Sequence, residues 1–230
     1  MSQEDDYTFA EGIPLAPSAP GTTVLVAGPP FSQAQQFARS LVVSGTDSGE
    51  GALFISTTMT SNRLLEACKK VYPALDTDQI GVVDCTGQEV GQADSDIAVK
   101  YVSTQNDLTG IGMRFSALYE SMYAAASEGR VRTALISLSS MSMYVELRTL
   151  FQFAHTLSAR IDSAGGLGVF ALDPDSHDAQ TVNTLSQIAD GRIEVRESED
   201  DADGELRVAG LTNQPREWTP FHFGDRENGR

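Results

Sequence analysis

Gly21-Thr-Thr-Val-Leu-Val-Ala-Gly28-Pro-Pro-Phe-Ser-Gln-Ala-Gln35 is the stretch on which the reading of this chain turns. Thr22 to Ala27 is a short apolar and β-branched run, as a buried strand requires, and Gly28-Pro29-Pro30 closes it. From Ser32 to Val43 the residues Ala34, Phe37, Ala38 and Leu41 recur at helical spacing. Strand, tight turn and helix form the opening unit of an open α/β sheet, and the turn lies where such sheets receive phosphate groups. The alternation continues outward. Strands are expected at Ala52 to Ser56, Ile80 to Asp84, Thr133 to Leu138 and Leu167 to Leu172. Helices are expected at Asn62 to Val71, Gly110 to Glu128, Tyr144 to Ser163 and Asp178 to Ala189. Residues 86 to 109 read as a polar loop with a short strand near Ala98 to Val102. Arg192 to Arg196, Leu206 to Leu211 and Trp218 to Phe223 read as short antiparallel strands. Helical crossovers between strands imply right-handed βαβ units, hence a mainly parallel central sheet with helices on both faces and antiparallel strands at its C-terminal edge. Polar, Pro-rich residues 1–20 are expected to be a flexible segment, 21–224 a single domain and 225–230 a disordered tail.

Composition narrows the class. The 230 residues carry 16 Lys and Arg against 32 Asp and Glu, a net charge of -16, and 40% hydrophobic residues, enough for a packed core. No run of about 18 apolar residues exists, and Met1-Ser-Gln-Glu-Asp-Asp6 is the reverse of a basic signal region, so a cytoplasmic chain with no membrane partner is expected. Cys68 and Cys85 have neither disulfide density nor a paired metal spacing and read as buried thiols. A deficit of basic residues argues against a nucleic-acid partner, whose phosphates need Lys or Arg.

The segment Gly21 to Pro30 resembles the strand and loop entry of the KaiC-like branch of RecA-fold ATPases, whose loop continues in the pattern G-x-x-x-x-G-K-[ST]. Set against that pattern, Gly28, Pro29, Pro30, Phe31, Ser32, Gln33, Ala34 and Gln35 form a degenerate nucleotide loop. Phe31 stands at a glycine, Gln33 at the second essential glycine, Ala34 at the lysine and Gln35 at the magnesium-binding hydroxyl. Thr57 and Thr58 stand where the resemblance places water-activating acids, and Ile136 where it places the magnesium-linked Asp. These losses imply a retained RecA/KaiC-like fold without catalysis, a pseudo-ATPase with no cofactor and no metal. Asn106 to Ser116, Ser137 to Tyr144 and Gly168 to Leu185 resemble a haloarchaeal set of KaiC/RecA-related proteins of unknown function, some labelled transducer-like. The resemblance spans residues 12 to 223. With three lysines and 13 arginines, the acidic composition also resembles that of halophilic proteins, whose carboxylates are screened at molar salt.

Other residues offer chemistry. Asp173, Asp175, His177 and Asp178 follow a strand's carboxyl end, where they form either a metal or acid/base cluster or, the simpler reading we favour, helix caps supplied by Asp175 or Ser176. His155 reads as a core or interface histidine. Met113, Met141 and Met143 read as core filling, with Met141-Ser-Met143-Tyr144 as a contact surface in the alternative. Arg130 and Arg132 with Arg192, Arg196 and Arg207 are a candidate basic patch, and Trp218, Phe221 and Phe223 are expected to seal the last strands. The leading function is a regulatory or scaffold module acting through protein partners, either copies of itself or an active RecA/KaiC-like relative, in signalling. The alternatives are a nucleotide or metabolite sensor without hydrolysis and a DNA-repair accessory resembling recombinase paralogues.

Overall fold

All five residues of β1 (Thr23–Ala27) and all six of β2 (Gly51–Ser56), β5 (Val131–Ile136) and β6 (Leu167–Leu172) are buried, which is the pattern of strands covered on both faces. The computed structural model describes residues 6–87 and 97–224. Its remaining strands are β3 (Ile80–Asp84), β4 (Ala98–Tyr101), β7 (Gly191–Arg196), β8 (Gly204–Ala209) and β9 (Thr219–Phe221). They form one sheet in the order β4-β3-β2-β5-β6-β1-β7-β8-β9. Pairing is parallel from β4 to β7 and antiparallel across β7, β8 and β9, as expected.

Successive strand residues enter opposite cores. Val24 and Val26 pack with α1 (Ala34–Val43), α2 (Ser61–Val71) and Phe221 of β9. Leu25 packs on the other face with α3 (Leu108–Ala125), α4 (Leu138–Ser142), α5 (Leu147–Ser163) and α6 (Ala179–Ser186). The result is a three-layer α/β domain. The chain leaves β1 toward β2 on one side, whereas β7 lies on the other, so the carboxyl ends of β1 and β6 flank the reversal of strand order. Among the described residues no helix is long and apolar enough to cross a membrane.

Several expectations need correction. The helix expected over Tyr144 to Ser163 is two helices, because Ser137 adopts φ 83, ends β5 at Ile136 and caps α4 by accepting from the Ser140 N–H. The expected strand end at Leu138 is therefore helical. Gly129 does have φ 67, but α3 stops at Ala125 and a 3-10 turn over Ser127–Gly129 follows, with Glu128 also left-handed. Met113 and Met143, expected in the core, are 65% and 78% exposed, whereas Met141 is buried. His155 is exposed and stacks on Phe151 at 5.9 Å.

The N-terminal segment is the largest difference. Residues 1–5 and 225–230 lie outside the described residues, but Tyr7 is fully buried, pairs with Ser18 and donates its hydroxyl hydrogen bond to Gly165 O at 3.0 Å. The Arg130 and Arg132 guanidiniums lie 4.1 and 5.3 Å from its ring centroid. Burial pushes the Tyr7 hydroxyl pKa up from its ordinary value. Ile13 is buried in the same core, with Phe9 and Leu15 packed against it, so a few apolar side chains hold this polar segment and average composition concealed them. The two arginines are also removed from the expected basic patch: Glu50 accepts from Arg130 Nε at 2.8 Å and from Arg132 Nε at 2.5 Å, with Arg132 only 1% exposed. Arg192 and Arg207 pair with Glu194, and Arg196 with Glu205, so the late arginines are compensated as well. Arg196 and Arg207 cover Trp218, which is half-buried.

Candidate functional site

The loop between β1 and α1 opens on a crevice of about 580 Å³ at the carboxyl ends of β1 and β6. Residues 28–36, the loop and the first turn of α1, line it together with Arg39 of α1, Ser137, Asp173 and Glu197. Gly28 is required there. A Cβ on it would lie 2.7 Å from both the Ala34 Cβ and the Val195 carbonyl oxygen, closer than any side chain tolerates. Ser32 ties the turn internally, its Oγ donating to Pro29 O at 2.7 Å. Phe31 and Gln33 adopt φ 70 and 65, and Phe31 is 88% exposed at the loop tip. Left-handed backbone costs a non-glycine residue roughly 1 kcal/mol.

Gln33 is the N-cap of α1, but no side chain among the described residues caps the helix there, and its first turn holds no acid. Ala34 is buried and Gln35 exposed. Thr57 is buried, donating to Ile136 O at 3.2 Å and sharing a hydrogen bond with Ser140 Oγ at 2.7 Å. Ile136 is packed into the α1–α2 core and Thr58 is exposed. None of these three is among the described residues that line the crevice.

The polar cluster after β6 resolves into caps. Asp173 accepts from the Asp175 N–H at 3.0 Å and from the Ser176 hydroxyl, closing a 3-10 turn. Asp178, rather than Asp175 or Ser176, caps α6 by accepting from the Thr181 N–H at 2.7 Å. That N–H holds the exposed Asp178 carboxyl below its ordinary pKa. His177 Nε2 meets Ser139 Oγ at 2.9 Å, and the Asp173 N–H donates to the same oxygen at 3.0 Å. Among the described residues no group of three His, Cys, Asp or Glu is placed to hold a metal.

Two residues escaped the sequence reading. Asp84 is fully buried at the end of β3 and accepts from Ser61 N, Thr86 N and Thr86 Oγ1, tying β3 to the start of α2. Arg39 is 4% exposed, and its Nε and Nη1 meet no hydrogen-bond acceptor among the described residues. Burial lowers its pKa. Its signal was the segment Phe37-Ala-Arg-Ser-Leu-Val-Val43, a helix buried all round with a cation in its middle.

This geometry is that of a RecA-type α/β domain with its crevice at the first strand-to-helix loop. The chain belongs to a family of unknown function, DUF7504, whose model matches residues 21–195. The fold is similar to the crystal structure of the KaiC-like protein PH0186 from the hyperthermophilic archaeon Pyrococcus horikoshii OT3, with TM-score 0.65 and 14% identity over 96% of this chain and 94% of that one. At that identity the likeness shows the fold. Among curated proteins, no sequence matches the chain.

Proposed function

We propose that this protein is a pseudo-ATPase: a RecA/KaiC-like regulatory module with a degenerate phosphate loop that acts in signalling by binding protein partners, either copies of itself or an active relative. The observation that carries the reading is Phe31. A loop built to wrap a nucleotide needs its backbone free, yet here an aromatic ring stands 88% exposed at the loop tip on a left-handed backbone. Met143 and Tyr144, 78% and 58% exposed just beyond β5 and α4, add apolar surface on the same carboxyl-end side of the sheet. Exposed apolar groups of this size are favoured where another protein covers them. The hydrolytic positions support the same reading. Gln33, Ala34 and Gln35 offer neither a cation nor a hydroxyl for magnesium, and Thr57 is engaged in structural hydrogen bonds.

The acidic surface we read as adaptation to a salt-rich cytoplasm in a halophilic archaeon. The test is sedimentation across micromolar concentrations in molar KCl, alone and mixed with an active KaiC-like ATPase, together with ATP turnover measured on this protein alone. The expected result is association that weakens in Phe31→Ser, with no turnover above background. A strictly monomeric protein under both conditions, or magnesium-dependent ATP hydrolysis, refutes the proposal.

A further inference from the structure

Helices α3 and α5 share the layer opposite α1 and α2, and an open groove of about 760 Å³ runs between them, continued by a second hollow of about 280 Å³. Buried Phe115 of α3 lines both, and half-buried Phe153 of α5 lines the larger. Met113 and Tyr123 of α3 stand exposed along this face. Beside Met113 the helix leaves a gap, because a Cβ added at Gly112 would meet nothing within 4 Å. One helix thus presents a protruding apolar side chain and an open position next to each other.

The charges on this face match in number but not with each other. Among the described residues, Glu120 of α3 and Arg160 of α5 are the charged groups lining the two hollows, so the face is neutral on a chain of net charge -16. Neither enters an ion pair among the described residues. Arg160 instead reaches across to donate to Ser116 Oγ of α3. A neutral apolar face spares two copies the repulsion that their acidic surfaces would otherwise impose, and depletion of charge around aromatic, Met and Arg side chains is the composition of an interface core.

We infer that two copies of this chain pair through the α3–α5 groove about a two-fold axis, which rests on the reading that its partners include copies of itself. A two-fold interface sets one residue against another twice over. Glu120 then meets the partner's Arg160 while Arg160 meets the partner's Glu120, so the two unpaired charges of each copy are satisfied together. Met113 enters the gap beside the partner's Gly112. Phe31 lines neither hollow and stays open to a different partner, the active relative.

The experiment is sedimentation velocity of the full chain across micromolar concentrations in molar KCl, where the wider acidic surface is screened. Wild type is compared with Gly112→Arg, Glu120→Arg, Arg160→Glu, Phe31→Ser and an equimolar mixture of Glu120→Arg with Arg160→Glu, and circular dichroism checks that each folds. Gly112→Arg puts a better helix former into open space, so it keeps the fold while filling the gap. Wild type should dimerise. Gly112→Arg and each charge reversal should weaken dimerisation about tenfold or more, the reversals because each brings like charges together twice. The mixture should recover much of the loss, since one variant then supplies two arginines and the other two glutamates. Phe31→Ser should pair as wild type does. The inference is overturned, with the partner reading intact, if wild type associates but the groove variants associate equally, if the mixture shows no recovery, or if Phe31→Ser alone abolishes the pairing. A wild type that is monomeric alone at every concentration also overturns it and leaves the partner reading to the active relative.

Discussion

Glu50→Gln tests how the N-terminal segment, α1 and β5 are joined. The carboxylate receives Arg130 Nε at 2.8 Å on one oxygen and Arg132 Nε at 2.5 Å on the other. Arg132 spends its remaining donors on Leu41 O at 2.9 Å, Ser44 Oγ at 3.0 Å and Thr8 O at 2.8 Å. Glutamine keeps the volume but removes the charge, and its amide nitrogen turns two hydrogens toward one of the guanidiniums. Removing one partner of a buried pair costs about 3–5 kcal/mol, because the other charge stays buried. Against a total stability of about 5–15 kcal/mol, that is a fall in Tm of roughly 6–20 °C for a domain of this size, at about 2–4 °C per kcal/mol. Salt should change the difference little, since buried pairs are poorly screened. The assay is urea and thermal unfolding in molar KCl. Glu50→Leu combined with Arg132→Met should lose less than Glu50→Gln alone, because no buried charge is then stranded at position 132. A Glu50→Gln protein within about 0.5 kcal/mol of wild type, a tenth of the predicted effect at its upper end, would refute the reasoning.

Gln33→Gly should stabilise the protein by about 0.5–1 kcal/mol, because glycine relieves the left-handed strain at φ 65 while adding some unfolded-state entropy; a loss of stability in urea unfolding would count against the loop geometry. Burial pushes the thiols of Cys68 and Cys85 up to about 12 from an ordinary 9.0. Because the folded pKa is raised, their contribution is intact below about pH 9 and is lost as pH climbs toward 12, by at most about 1.4 kcal/mol per pH unit per thiol. The alkaline slope of stability should therefore be shallower in Cys68→Ala. With a net charge of -16, removal of KCl should lower Tm steeply as carboxylate repulsion is unscreened; a melting temperature equal in low and molar salt would remove the high-salt reading.

The parallel sheet was legible because its central strands are buried on both faces and therefore read as unbroken apolar runs. Where burial is satisfied by a side chain of the wrong class, the pattern fails. Arg132 occupies a fully buried strand position that looks like a surface cation, and Tyr7 anchors a segment whose neighbours are polar. Met113 and Met143 fail in the opposite sense, being apolar residues on exposed faces. The turn between β1 and α1 was legible from its strand-turn-helix pattern, but its left-handed residues were invisible because neither is glycine. The cap of α6 was misplaced by two or three residues, since Asp173, Asp175, Ser176 and Asp178 are all competent caps and only the path of the chain selects among them.

The two buried arginines at α1 make opposite arrangements with the same helix. Arg132 reaches its C-terminal end, where Leu41 O is one of the carbonyls left open by the last turn and the dipole favours a cation. Every nitrogen of that guanidinium finds an acceptor within the chain. Arg39 is directed toward the N-terminal end, where the dipole disfavours it, and two of its nitrogens find none. The fold can therefore satisfy a buried guanidinium completely when all the partners are internal. At Arg39 it does not, and a buried cation without a counter-charge is a cost to the fold that Arg39→Met measures. If the charge serves nothing, replacing it with an apolar side chain of similar length should leave stability unchanged or raise it. A fall in stability of more than about 1 kcal/mol in urea unfolding would show instead that the guanidinium makes contacts that offset its burial.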